Sequence, residues 1–247
     1  MKRFLQLKNI SYMALFAGIV GFLLRLWLHS TRGADGFVAK GHISGILLFL
    51  LTAGGLAALF WACRYFRQAN KCDFNFPPSL LAGIGSGVGA MGILAVSLAE
   101  LVTAQTTVEL LTALIGLVAA AALGFAAYGR WKGQRLSVVF YCVISVYLML
   151  RLFSMYRAWC ADPQLEDYLY ELLALACGVI ASYHRAAFNA DFGSRRSYAF
   201  FNLATVYFCC LSLAGDSTVF YLALGAWMFA DPCSFNPLPK DLWGKNP

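Results

Sequence analysis

The feature that most constrains this chain is a series of continuous apolar stretches, each long enough to cross a lipid bilayer as a helix. A membrane-spanning helix needs about 20 mostly apolar residues, and 60% of the 247 residues are hydrophobic whereas 13% are charged. A membrane β-barrel would instead show an alternating pattern. The sequence therefore predicts an all-α, polytopic transmembrane helical bundle that forms one integral membrane domain over 1–247. The predicted spans are 10–30, 43–63, 79–102, 107–128, 136–156, 166–184, 197–214 and 217–231.

The last two predicted spans form one apolar run that is interrupted at Gly215-Asp216-Ser217. One helix of about 33 apolar residues would exceed the bilayer thickness by more than half. A turn at this point is therefore favoured, which gives eight spans; one long tilted helix, and seven spans, is the alternative. At the N-terminus, the basic segment Met1–Lys8 precedes a full-length apolar run. This pattern favours a retained first span over a cleaved signal peptide.

Positive charge alternates between the loops that join the apolar stretches. Every second loop, together with both termini, is rich in Lys and Arg, as the positive-inside rule describes for cytoplasmic segments. We therefore expect both termini to be cytoplasmic and the protein to lie in a cytoplasmic (inner) membrane. The net charge of +7 then indicates contact with the lipid bilayer rather than with nucleic acid. The basic segments contain Lys2, Arg3, Lys8, Arg64, Arg67, Lys71, Arg130, Lys132, Arg135, Arg185, Arg195, Arg196, Lys240 and Lys245, and the intervening loops contain Arg32, Lys40 and Arg157.

Charge within the predicted spans is costly and usually faces a bundle interior or a water-filled cavity, and five ionisable side chains there are the candidates for function. With the predicted orientation, the helical rise per residue places all five in the outer half of the membrane. The cytoplasmic half is predicted to hold none, apart from His184 near a helix end. The five residues are Arg25, Glu100, Glu109, Arg151 and Glu171.

Hairpin geometry suggests which of these charges meet. Arg151 and Glu171 are nearly equidistant from the turn around Asp162-Pro163, so they are predicted to face each other. Glu100 and Glu109 flank another turn, and two close carboxylates would share a proton or hold a cation. Alternatively, an arginine neutralises one of them, or Glu109 complements the dipole of the helix that it begins.

Small residues indicate where helices pack closely. Gly83, Gly85, Gly87 and Gly89 in the third span form small-xxx-small pairs, which allow backbones to approach. These glycines are predicted to pack helices inside the bundle; a ligand or a partner membrane subunit against the same face is the alternative. A similarity between 23–27 and 149–153 is compatible with a parallel repeat of 1–128 and 129–247.

The charges lead to three hypotheses for function. The first is an outward-facing polar cavity that binds or translocates a small polar or anionic solute. Arg25, His29, Glu100, Arg151 and Glu171 would bind the solute, and Glu100 and Glu109 would couple a proton or cation. The second is a non-catalytic scaffold or partner subunit of a larger complex. The third, a membrane enzyme that acts on lipid headgroups through His29, His42 and Glu100, has no catalytic spacing to support it. No metal site or cofactor is predicted, since no Cys pair has metal-ligand spacing. No disulfide is predicted either, since Cys160 is the only cysteine in a predicted outer loop.

Overall fold

The computed structural model describes residues 7–31, 42–64, 66, 70–160, 165–215 and 217–235. Of the described residues, 86% are helical and none is in a β-strand, so the all-α prediction is confirmed. Several residues used above lie outside the described parts, among them Asp162, Pro163, Asp216, Arg32 and Lys40. The helices are α1 Leu7–Ser30, α2 Ile43–Arg64, α3 Cys72–Asn75, α4 Leu80–Thr103, α5 Thr107–Lys132, α6 Val138–Trp159, α7 Leu165–Asn189, α8 Arg195–Ser212 and α9 Thr218–Cys233.

Five of these helices, α1, α2, α4, α5 and α6, are long and apolar enough to cross a membrane. Their outer faces expose more large apolar side chains than the surface of a soluble protein normally does. Phe16, Phe49, Trp61 and Phe153, for example, are each 60–69% exposed. These helices indicate a multi-pass membrane protein.

The last apolar run forms two helices, because α8 ends at Ser212 and α9 begins at Thr218. The alternative of a single long helix is therefore excluded. The short helix α3, between α2 and α4, was not predicted. It contributes side chains to a buried cluster that is described below.

The helices α8 and α9 lie at the centre of the bundle. Helix α8 packs against α1, α2, α7 and α9, whereas α9 packs against α1, α4, α7 and α8. Because α8 contacts protein on most sides, it can carry polar residues that lipid would not accept. Asn202, Thr205 and Ser212 on α8 are all fully buried.

Glycines of α4 set its distance from two neighbouring helices. A Cβ at Gly85 would collide with the Cβ of Ala230, and a Cβ at Gly89 would lie 2.9 Å from the Cβ of Trp227, both on α9. A Cβ at Gly83 would lie 3.3 Å from that of Trp131 on α5. A Cβ at Gly87, in contrast, would meet nothing within 4 Å. Three of the four predicted packing glycines thus adjoin neighbouring helices.

Candidate functional site

A cavity of about 260 Å³ lies where α4, α5 and α6 meet the start of α9. We call it the glutamate cavity. Three predicted site residues, Glu100, Glu109 and Arg151, line it together with hydroxyl groups and the indole of Trp159. The other lining residues are Thr103, Ala104, Thr112, Ser154, Met155, Ala158 and Ser217.

An ion pair between Arg151 and Glu100 forms the charged wall of this cavity. Nη1 of Arg151 donates to Oε1 of Glu100 at 2.6 Å. The Arg151 side chain is 6% exposed, whereas that of Glu100 is 34% exposed. The Arg151 guanidinium also lies over the ring of Phe220, 4.1 Å from its centroid, in a cation–π arrangement. The positive charge is thus held inside the bundle, and its counter-charge reaches the surface.

The predicted pairing of Arg151 with Glu171 is wrong. Glu171 instead pairs with Arg25, whose Nη2 lies 3.5 Å from Oε1 of Glu171. Nη1 of Arg25 donates to the carbonyl of Leu211 at 2.8 Å. Equal distances from a turn set the height of two residues in a hairpin but not their rotation about each helix axis. Arg151 and Glu171 therefore face different neighbours.

Glu109 has a local structural role at the start of α5. Its carboxylate accepts hydrogen bonds from the backbone N–H groups of Gln105 and Thr106, at 2.9 and 3.3 Å. The Thr106 hydroxyl accepts the N–H of Glu109 in return, which completes a capping box. The Glu109 carboxylate lines the glutamate cavity while it caps the helix.

Tyr221 of α9 lies between the backbone of Glu171 and the lining of the glutamate cavity. Its hydroxyl donates to the carbonyl of Glu171 at 3.4 Å and approaches the sulfur of Met155, a residue of the cavity lining, at 3.7 Å. The Arg25–Glu171 pair therefore lies next to the glutamate cavity without lining it. His29, one turn beyond Arg25 on α1, is half-buried and is not part of this lining.

A second group of buried charges lies at the opposite end of the bundle. Arg130 and Glu109 are about 30 Å apart along α5, at a rise of about 1.5 Å per residue. We call Arg130, Arg185 and Asp231 the arginine cluster. Nε of Arg130 lies 3.3 Å from Oδ1 of Asp231, and Nε of Arg185 lies 3.5 Å from Oδ2. The three side chains are at most 5% exposed, so the prediction that this half holds no buried charge is wrong.

Aromatic and polar side chains of α7, of α8 and of the residue that follows α3 enclose the arginine cluster. The ring centroid of Phe76 is 5.1 Å from the Arg130 guanidinium and 3.7 Å from that of Arg185. The Tyr198 hydroxyl donates to Oδ2 of Asp231 at 3.0 Å. Nη1 of Arg185 donates to Oδ1 of Asn189 at 3.1 Å.

The sequence pattern does not reveal this cluster, because Arg130 and Arg185 lie in segments that are predicted to be basic cytoplasmic loops. The available signal was Asp231, an acidic residue in the last apolar run. Asp231 stands beside Pro232 at the end of α9, the same end of the bundle as both arginines. A lone acid within an apolar helix predicts a basic partner at the same depth.

The described residues contain no group of three His, Cys, Asp or Glu side chains that could hold a metal ion. His42 bonds to Ser44 at 2.6 Å and Glu100 bonds to Arg151, so these two candidates of the lipid-enzyme hypothesis face different neighbours. The fold and its two charged sites define the chain as a multi-pass helical membrane protein. No family model matches it, and neither does any curated protein or solved structure.

Proposed function

We propose that this protein crosses a cytoplasmic membrane eight times and that its glutamate cavity opens outward to bind or translocate a small polar or anionic solute. The observation that carries the proposal is the placement of a buried guanidinium, Arg151, in the wall of a 260 Å³ cavity. Such a volume approaches the size of small-molecule sites, which are about 300 Å³ and larger.

The contacts of the Arg151–Glu100 pair allow an anionic ligand to replace the Glu100 carboxylate on Arg151. Arg151 is fixed by burial and by Phe220, whereas Glu100 is partly exposed and can move. An incoming carboxylate or similar anion can therefore take the place of the Glu100 carboxylate on Arg151. The displaced Glu100 would then take up a proton or a cation, which couples solute binding to an ion. Because Glu109 is held by backbone N–H groups, we assign the coupling role to Glu100 first.

The distribution of basic residues supports the orientation. The described basic residues of the helix ends and loops gather at the end of the bundle that holds the arginine cluster, and one exposed arginine, Arg157, lies at the cavity end. Under the positive-inside rule, the cavity end faces outward. The basic residues of the other end are Arg64, Lys71, Arg130, Lys132, Arg135, Arg185, Arg195 and Arg196.

Solute binding can be measured with the full chain purified in a non-ionic detergent. Acetate, succinate and glycerol serve as probes, each compared with sodium chloride at matched ionic strength, and the readout is the apparent Tm. A bound solute should raise Tm in a saturable manner. Arg151→Gln should abolish the rise. Ala158→Phe should do the same, because a larger side chain fills the cavity without touching the ion pair. Arg157→Gln is the matched control, since it removes the same charge from an exposed position outside the lining.

The alternative function, a scaffold or partner subunit, predicts a different result. In that case none of the probes raises Tm, and Ala158→Phe leaves the protein as stable as before. That pair of results would contradict the proposal. A rise that survives both Arg151→Gln and Ala158→Phe would place solute binding elsewhere and would also contradict it.

A further inference from the structure

The arginine cluster is electrostatically unbalanced. Among the described residues, the two guanidinium groups of Arg130 and Arg185 pair with one carboxylate, that of Asp231. Buried charges are normally paired, because an uncompensated ion in a low-dielectric interior is costly. The rings of Phe76 and Tyr141, which flank Arg185 at 3.7 and 4.6 Å, stabilise a cation but supply no negative charge.

The ion pairs of the cluster are also loose. A structural arginine–carboxylate pair typically forms two short parallel hydrogen bonds. Here Nε of Arg130, Nε of Arg185 and Oδ1 of Asp231 are all buried and make no hydrogen bond. Their separations of 3.3 and 3.5 Å bring the charges together without the geometry of a closed pair. The Nε–H group of each arginine is therefore left without a hydrogen bond, whereas Nη1 and Nη2 of Arg130 donate to the carbonyl of Pro77 and the hydroxyl of Ser234 at 3.0 and 2.5 Å.

A small cavity adjoins the same guanidinium groups. Its volume is about 30 Å³, which is room for about two water molecules, so a phosphate group would occupy this space together with the position of a displaced Asp231 carboxylate. The buried Arg130 and Arg185 form its wall towards the protein interior, and the exposed Arg135 and Gln134 form its wall towards the protein surface. The neighbouring acid Asp191 is already engaged, because its Oδ2 pairs with Arg135 at 2.7 Å and its Oδ1 accepts the N–H of Cys72 at 3.1 Å. A further acid of the lining, Asp73, is exposed.

We propose that the arginine cluster is a binding site for a phosphate group, held between Arg130 and Arg185 with Asp231 as the competing carboxylate. Arginine is suited to this role because its planar fork of donors matches the oxygens of phosphate. The group can belong to inorganic phosphate or to a phospholipid headgroup, since the site lies where the helices end. This site is separate from the glutamate cavity, and neither proposal depends on the other.

The test uses the full chain in a non-ionic detergent and measures the apparent Tm. One arm titrates sodium phosphate against sodium chloride at matched ionic strength. A second arm titrates short-chain phosphatidylglycerol against the detergent alone. Occupancy should raise Tm by roughly 5–10 °C at about 100 times the Kd. A response to inorganic phosphate identifies a soluble ligand, and a response to the lipid alone identifies a headgroup.

Three variants link the response to the site. Arg185→Gln should remove the Tm rise. Gln134→Trp should reduce it by blocking the cavity from an exposed loop position, and this variant leaves every buried charge in place. Asp231→Asn should tighten binding several-fold, because it removes the competing carboxylate. Arg157→Gln, at the opposite end, should respond as the wild type does.

The outcomes separate a binding site from a structural ion-pair network. If Asp231 only neutralises the arginines, Asp231→Asn destabilises the protein and binds phosphate no more tightly. That result, or the absence of a Tm rise in both arms, would overturn the proposal. So would a rise that Gln134→Trp and Arg185→Gln both leave unchanged. Loss of the response in Arg151→Gln alone would assign phosphate to the glutamate cavity instead.

Discussion

Among individual residues, Arg151 allows the most direct test of the glutamate cavity. Its bond to Glu100 is a charge-assisted hydrogen bond, and such bonds contribute about 1.5–3 kcal/mol. We expect Arg151→Gln and Glu100→Gln each to lower the free energy of unfolding within that range, and the double variant to lower it by less than their sum. Denaturant titration of the purified protein measures the three values.

The matched control is a second double-mutant cycle, which combines Arg151→Gln with Glu171→Gln instead of Glu100→Gln. Because Glu171 pairs with Arg25, the effects of Arg151→Gln and Glu171→Gln should add to within about 0.5 kcal/mol. A coupling energy between Arg151 and Glu171 that exceeds the one between Arg151 and Glu100 would contradict the observed pairing.

Asp191 gives a prediction for pH dependence outside the membrane-spanning helices. Hydrogen bonds from Arg135 and from the backbone of Cys72 lower the pKa of its carboxyl group below the usual value for an aspartate. A carboxyl group with a lowered pKa stabilises the fold above its unfolded pKa, and this stabilisation is lost as the pH falls through the folded value. We expect the wild type to lose stability below about pH 4 and Asp191→Asn to lose less over the same range.

Thermal unfolding between pH 6 and pH 3 measures this difference. Asn is the suitable replacement because Asp191 has a φ of 60°, and Asn tolerates the left-handed region better than most residues do. Equal losses of Tm in the wild type and in Asp191→Asn would show that other groups govern the acid response.

For single residues, the depth of a charge could be predicted from the sequence, but its pairing partner could not. Depth along a helix follows from counting residues, so Glu100, Glu109 and Arg151 were placed at one level, and the structure brings them into one cavity. The partner of Arg151 depends on helix rotation and on which helices are neighbours. The packing that decides both involves α8 and α9, which the charge pattern does not locate.

At the scale of helices, the unforeseen feature is the polarity of α8. A span that contacts lipid must be apolar, whereas a central span need not be. The buried Asn202, Thr205 and Ser212 reflect this, and α8, which also begins with Arg195 and Arg196, is not among the helices with the apolarity of a membrane span. Hydropathy predicted that a helix lies here, but polarity at membrane depth was the sign that it is central.

The contact between α4 and α9 gives a prediction at the same scale. A Cβ at Gly85 would collide with Ala230, whereas one at Gly87 would meet open space. We expect Gly85→Ala to cost about 1–3 kcal/mol through overpacking, and Gly87→Ala to have no adverse effect. Both variants add one methyl group two residues apart on the same helix, so helix propensity does not separate them.

Denaturant unfolding of the two variants distinguishes internal packing from a partner interface. Equal stability of both variants would contradict close packing of α4 on α9. If Gly87→Ala instead disrupted an assembly while leaving the monomer stable, the exposed side of α4 would be a contact for a partner subunit.

For the whole molecule, both charged sites lie at helix ends, one at each end of α5. The sequence predicted the helices and the asymmetry of basic residues, because each depends on local composition. It did not predict that Arg130 and Arg185 turn inward to meet Asp231. The sequence alone does not distinguish an exposed arginine at a helix end from a buried one, unless an acidic partner at the same depth is known. The predicted repeat of 1–128 and 129–247 stays a prediction.

The orientation of the molecule can be tested with cysteine labelling in intact cells. Cys160 is exposed at the end of α6, on the side of the glutamate cavity, and we expect a membrane-impermeant maleimide to label it from outside. Cys72 is buried, so an introduced cysteine reports on the other end. Lys132→Cys in a Cys160→Ser background places a thiol at an exposed position at the end of α5. That thiol should react only after the cells are permeabilised. The reverse pattern would place the arginine cluster outside and the glutamate cavity inside, and would contradict the proposed outward-facing solute site.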